Sequence, residues 1–170
     1  MADAPAIGSS RFRSGRFPAG PHIAVGRATV DFRLYLITDR WQARGGDLDA
    51  AVGRALSGGV RAVQLREKDL GGRELLELAR RMRALTSRHG AKLLINDRVD
   101  IALAAGADGV HLGGGAIPPE EARRLLGPDR LIGCSVHGPE QLAAAEAGGA
   151  DFVAFGPVYF TPSKAPFGPP

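Results

Sequence analysis

The chain has one cysteine, Cys134, in 170 residues. A lone thiol excludes an intramolecular disulfide and a cysteine-based zinc cluster. Aromatic residues make up only 6%, with one tryptophan and two tyrosines. That scarcity argues against a stacking platform for single-stranded nucleic acid. No apolar run approaches the ~20 residues of a membrane helix. Residues 1–31 contain no signal-peptide h-region. The expectation from these absences is a protein of a reducing, cytoplasmic compartment, with no membrane partner.

What is present is ordinary for a globular protein: 44% hydrophobic and 24% charged residues. The length is enough for one domain with its own core. The formal net charge is +4 and the sequence pI about 9.8. A mildly basic chain suits an anionic small substrate as well as it suits a polyanion. Residues 1–31 stand apart, with Arg11, Arg13, Arg16 and Arg27 among Ser, Gly and Pro and no apolar period. They read as a disordered basic tail, with an organelle transit peptide as the alternative. A nucleic-acid role would have only this tail to rest on.

Residues 32–170 read as one domain. Apolar strand runs fall at 34–37, 60–65, 93–95, 109–112, 131–133 and 152–155. Helical patterns lie between them, at 48–56, 73–88, 99–105, 118–126 and 139–147. Glycines close several of these helices, as Gly58, Gly106 and Gly148 do. The phrase Gly-Ala-Asp before a strand occurs twice, at Asp108 and at Asp151. Strand and helix alternating in this way predict an α/β fold, either a (β/α)8 TIM-type barrel or a doubly wound sheet. A full barrel takes eight strands and about 200 residues or more. With six strands, the expectation is a partial barrel short of its last two βα units.

Strand interiors are apolar, and the residues just past them are polar. They include Asp39 and Arg40, then Arg66 and Lys68, then Asn96 and Asp97, then 113–115, then Ser135 and His137, then Thr161, Ser163 and Lys164. Gln64 stands just before the end of its strand. Parallel strands would gather all of them on one rim, at the carboxyl ends where such sheets collect ligands. Cations and glycine backbone on one rim fit a phosphorylated guest. Plainer readings stand beside these. Asp97 could be the N-cap of the next helix. The run Gly113-Gly114-Gly115 could be a simple turn. Residues 66–68 could be a surface charge cluster. His137 could be a structural rim histidine rather than a proton carrier. His111, inside a strand pattern, reads as a hydrogen-bonded core histidine, and Cys134 as a small buried hydrophobe. Arg80, Arg81, Arg83 and Arg88 spread around their helix and read as a solvated face.

In order, six motifs resemble one known family. They are Leu34-Tyr35-Leu36-Ile37-Thr38-Asp39, Val63-Gln64-Leu65-Arg66-Glu67-Lys68, Ile95-Asn96-Asp97, Gly106-Ala107-Asp108-Gly109-Val110-His111-Leu112-Gly113, Ser135-Val136-His137, and Gly156-Pro157-Val158-Tyr159 with Thr161 to Lys164. They look like thiamine phosphate synthase and its sister, the thiazole tautomerase. The resemblance implies a (β/α)8 barrel. It implies coupling of a hydroxymethylpyrimidine diphosphate to a thiazole phosphate, with release of diphosphate. It would place Gln64 and Asn96 on the pyrimidine. Arg66, Lys68 and Lys164 would lie on the diphosphate, with Asp97 on its Mg²⁺. Thr161 and Ser135 would donate hydrogen bonds, Ser135 and Lys164 acting close to the chemistry.

Two departures qualify this. The family's synthases carry a second acidic Mg²⁺ ligand where this chain has Ala116. Their thiazole-phosphate loops follow strands seven and eight. The first departure favours the tautomerase, which needs no metal and uses the histidine of Ser-Val-His, here His137. A third reading is a non-catalytic barrel that binds phosphate. In every case the expected partners are small phosphorylated molecules, and the sequence leaves room for a homo-oligomer.

Overall fold

The structure is a computed structural model that describes residues 29–159. Thr161, Ser163, Lys164 and almost all of the basic tail lie outside the described residues. The elements run β1 Tyr35–Ile37, a 3-10 turn Arg44–Gly46, α1 Leu48–Ser57, β2 Ala62–Leu65, α2 Gly72–Arg88, β3 Lys92–Asn96, α3 Val99–Ala105, β4 Gly109–Leu112, α4 Pro119–Leu126, β5 Leu131–Val136, α5 Pro139–Ala147 and β6 Phe152–Phe155.

The six strands pair in chain order, and every pair is parallel. Each crossover between neighbours is right-handed by the usual chirality, so all the helices pack on one face. The other face curls on itself. Tyr35 of β1 and Phe152 of β6 have ring centroids 5.5 Å apart. A flat sheet would hold the first and sixth strands ~24 Å apart. The sheet is therefore a curled half-barrel with a concave inner face.

Strand alternation divides the residues. Val63, Leu65, Leu93, Ile95, Val110, Leu112, Ile132, Cys134 and Val136 join the helix-packed core with Val52, Leu56, Leu78, Met82 and Ala122. The alternate positions, among them Gln64, His111, Gly133, Ser135 and Phe152, face the concave side. Strand β5 runs to Val136, three residues beyond the expected end at Gly133. Ser135 is therefore in the strand and not past it. Gly133 is a clearance and not a stop. A Cβ there would sit 2.3 Å from Phe152 Cζ and 2.8 Å from His111 Nδ1.

The repeated Gly-Ala-Asp phrase is one joint used twice, at the amino ends of the strands. Asp108 accepts the Leu93 backbone N–H at 2.8 Å and pairs with Arg83 of α2. Asp151 accepts the Ile132 N–H at 2.8 Å and pairs with Arg123 of α4 at 2.7 Å. Each aspartate ties a strand, its neighbour and a helix together. This end of a parallel α/β fold carries stability, leaving the opposite end for chemistry. The α2 arginines are thus not all solvated: Arg81 is exposed beside Asp49, whereas Arg83 is held by Asp108.

Candidate functional site

At the carboxyl ends of the strands lies a cavity of about 370 Å³. Gln64, Arg66, Lys68, Asn96, Asp97, Ser135 and His137 all line it. These are all the expected site residues that fall within the described part. A larger cavity of about 580 Å³ opens beside it, between α4 and α5. Its walls are mainly Ala, Pro, Gly and other apolar residues, with Glu120 the one charged side chain. The reactive groups are in the smaller cavity.

Across the cavity floor runs a line of amides. Gln64 Nε2 donates to Asn96 Oδ1 at 2.8 Å. Asn96 Nδ2 donates to Asp97 Oδ2 at 2.8 Å. The other Asp97 oxygen accepts the Gly113 N–H at 2.7 Å. Gln64 is 2% exposed, yet its Oε1 has no partner among the described residues. A buried carbonyl oxygen left unpaired is unfavourable, and marks a place for a donor.

Asp97 does not cap α3, contrary to one sequence reading. Arg98 occupies the N-cap, without a side-chain bond. Asp97 has φ +58°, a left-handed conformation that aspartate tolerates better than most residues. Its carboxylate instead takes the Gly113 N–H. Gly113 in turn opens a tight turn, with Ala116 N–H donating to Gly113 O at 3.0 Å. The glycine run is thus a turn, and its first N–H serves the carboxylate.

The segment 66–68 alternates in function. Glu67 is buried, 5% exposed. It accepts the Thr38 hydroxyl at 2.7 Å, the Arg40 backbone N–H at 3.2 Å and Arg40 Nη1 at 3.1 Å. Thr38 Oγ1 accepts the Arg66 N–H at 2.9 Å. Arg40 also pairs with Asp69, so its charge is taken up there and is not offered to a ligand. Arg66 and Lys68 flank Glu67, are exposed and have no ion-pair partner among the described residues. The Thr38–Glu67 bridge went unseen in the sequence. Its one signal was a carboxylate between two cations directly after a buried strand.

On the concave wall, Tyr35 OH lies 3.2 Å from His111 Nδ1, and His111 Nε2 lies 3.0 Å from Ser135 Oγ. Desolvation lowers the His111 pKa to about 4, although the Asp97 charge opposes the shift. Burial also pushes the Tyr35 phenol above its ordinary value. Both groups are neutral at neutral pH. At the rim, His137 Nδ1 donates to the Gly156 carbonyl, and its backbone N–H donates to Gln141 Oε1 at 2.7 Å. That leaves Nε2 as the acceptor nitrogen.

No group of three or more His, Cys, Asp or Glu that could hold a metal ion occurs among the described residues. Among the described residues Asp97 is the only carboxylate lining the cavity, and Ala116 lies in the neighbouring turn. Mg²⁺ typically binds through one or two carboxylates, with substrate phosphates and water completing its shell. The donor set therefore fits Mg²⁺ shared with a phosphorylated guest, and does not form an all-protein cage.

A family model described as thiamine monophosphate synthase matches residues 34–170. The chain belongs to the thiamine monophosphate synthase family. It is 70% identical over 143 residues to a putative thiamine-phosphate synthase of Geobacter sulfurreducens, covering 84% of this chain and 67% of that one. It is 49% identical over 144 residues to the thiamine-phosphate synthase of Solidesulfovibrio magneticus, covering 85% and 68%. Among solved structures, the thiamine phosphate pyrophosphorylase from Pyrococcus furiosus is similar, with a TM-score of 0.70 and 40% identity. That likeness covers 75% of this chain and 61% of the other. The chain thus spans about two thirds of the length of these thiamine monophosphate synthase family members. The resemblance read from the six motifs is borne out. No helix among the described residues is long and apolar enough to cross a membrane.

Proposed function

We propose that this chain is a thiamine phosphate synthase, joining a hydroxymethylpyrimidine diphosphate to a thiazole phosphate and releasing diphosphate. The observation that carries the reading is the Gln64–Asn96–Asp97 line. It ends in a buried oxygen and lies on the same cavity as two cations, none of the three partnered among the described residues. A heteroaromatic amino group would satisfy Gln64 Oε1. Arg66 and Lys68 would hold the diphosphate.

Loss of diphosphate leaves a pyrimidine-methyl cation, and the barrier falls as the leaving anion is stabilised by fixed positive charge. Arg66 and Lys68 supply that charge at the cavity, Arg66 from a backbone held by Thr38. By family resemblance, Lys164 and Thr161 join them. Ser135 donates at the wall. Asp97 would hold Mg²⁺, which when bound neutralises the departing anion. The fold would be a (β/α)8 barrel and the setting cytoplasmic.

The test incubates the full chain with both substrates, with and without Mg²⁺. The expected result is Mg²⁺-dependent release of diphosphate with formation of thiamine phosphate. A second reading rests on His137, whose Nδ1 is anchored on Gly156 and whose Nε2 is left as an acceptor. It is a metal-independent thiazole tautomerase. Isomerisation that survives chelation and disappears in His137→Ala would replace the synthase reading. Phosphate binding with neither activity would leave a non-catalytic barrel.

A further inference from the structure

Tyr35, His111 and Ser135 form one continuous line of polar atoms across the concave wall. The line joins β1 to β4 and β4 to β5. His111 and Ser135 share the cavity with Gln64, Arg66 and Lys68, and Tyr35 is not among its lining residues. The first member is set among rings: Tyr35 lies 5.6 Å from Phe32 and 5.5 Å from Phe152, centroid to centroid. Those rings offer its hydroxyl no acceptor of ordinary strength. The one hydrogen-bond partner of the Tyr35 hydroxyl among the described residues is His111 Nδ1.

A neutral imidazole carries one N–H and one lone pair, so the partner of one nitrogen decides the other. If Tyr35 donates to Nδ1, the proton of His111 must sit on Nε2. Nε2–H then donates to Ser135 Oγ. With its oxygen occupied as an acceptor, Ser135 turns its own O–H outward into the cavity. The opposite tautomer leaves the Tyr35 proton without an acceptor among the described residues and turns the Ser135 proton back to the wall. Gly133 is part of the same arrangement, since a Cβ there would strike both the His111 and Phe152 rings.

We propose that Tyr35 is a positioning residue: by donating to His111 Nδ1 it fixes the Nε2–H tautomer and thereby aims the Ser135 hydroxyl at the ligand as a donor. The device suits a guest with an electronegative atom at the wall, such as a phosphate oxygen. Only that last clause rests on the synthase reading; the tautomer does not.

The experiment has two arms on the full chain. In the first, ¹⁵N-histidine spectra of the wild type and of Tyr35→Phe are recorded at neutral pH. The signal is assigned by its loss in His111→Gln. The expected wild-type pattern is Nε2–H, with Nδ1–H appearing in Tyr35→Phe. Nδ1–H in the wild type, or an unchanged pattern in Tyr35→Phe, overturns the proposal whatever the reaction proves to be. In the second arm, Tyr35→Phe, Ser135→Ala and the double variant are compared in diphosphate release. Each single variant should lose about tenfold in kcat/KM, and the double variant no more than the larger single loss. Losses that multiply would show that Tyr35 does not act through Ser135 and would also overturn it. An inactive wild type with the Nε2–H pattern would count against the synthase reading and support the positioning role.

Discussion

Thr38 donates its hydroxyl proton to the buried Glu67 carboxylate across 2.7 Å. The bond joins the loop after β1 to the loop after β2. Because Thr38 Oγ1 also accepts the Arg66 N–H, it sets the backbone from which Arg66 and Lys68 project. Glu67→Ala leaves a threonine hydroxyl and part of the Arg40 guanidinium unpaired. The expected loss is about 2–3 kcal/mol in urea unfolding. Affinity for inorganic diphosphate, by calorimetry, should fall in the same variant although Glu67 does not line the cavity. A change within about 0.5 kcal/mol would mean an ordinary surface charge.

Gln64 should show the opposite balance of stability and activity. Among the described residues its Oε1 is unpaired and its one donor bond goes to the half-buried Asn96. Gln64→Leu removes an unsatisfied buried oxygen and leaves Asn96 free to bind water. Stability should stay within about 1 kcal/mol of wild type, whereas kcat/KM should fall about 10- to 100-fold. Thermal melts and steady-state rates on the same preparation check both halves.

Asp97→Asn separates charge from geometry. Asparagine tolerates φ +58° and can still accept the Gly113 N–H, so the fold should survive. The one carboxylate that lines the cavity among the described residues is then gone. Calorimetric titration of Mg²⁺ in the presence of diphosphate should show at least a tenfold weaker response. An unchanged Mg²⁺ titration would remove Asp97 from the metal.

The elements were readable because apolar runs and helix-ending glycines recur at every joint. The rim was readable because parallel strands must end on the same side. What escaped depends on partners far away in the chain. Thr38 and Glu67 are 29 residues apart, and Tyr35 and His111 are 76 apart. Their meeting is set by the curl of the sheet, which local pattern does not report. The strand expected at 131–133 was too short for a related reason: that Gly133 makes room for two rings is not visible in one dimension. Asp97 was placed at the rim, and the alternative reading of it as a cap fails because the competing Gly113 N–H comes from the next strand's end.

The two equivalent aspartates at the stable end should differ in measurable degree. Asp108 is 20% exposed at its side chain, while Asp151 is 6% exposed. Each accepts a strand N–H and pairs with an arginine, and Asp108 also lies 3.9 Å from Lys92 Nζ. Alanine at either site should destabilise by about 2–4 kcal/mol, with Asp151→Ala the larger loss because its partners are drier. Activity per folded molecule should hardly change, since neither residue lines the cavity. Equal losses at the two sites, or a lowered turnover number at native conditions, would contradict this account of the joint.

Acid should weaken the fold through His111. Its pKa in the folded state is about 4, against 6.5 for the unperturbed group, and burial is the main cause. A depressed folded-state value means that the unfolded chain binds the proton first. Stability is therefore full above pH 6.5 and is lost as pH falls from 6.5 towards 4. The linkage amounts to about 2 kcal/mol between pH 7 and pH 5. Urea unfolding of the wild type and of His111→Gln at those two pH values isolates it. The glutamine variant should start less stable at pH 7, having lost the ring contacts to Tyr35 and Phe152. It should then lose about 2 kcal/mol less than the wild type on acidification. Parallel losses in the two proteins would mean that His111 is protonated as readily in the fold as in the open chain.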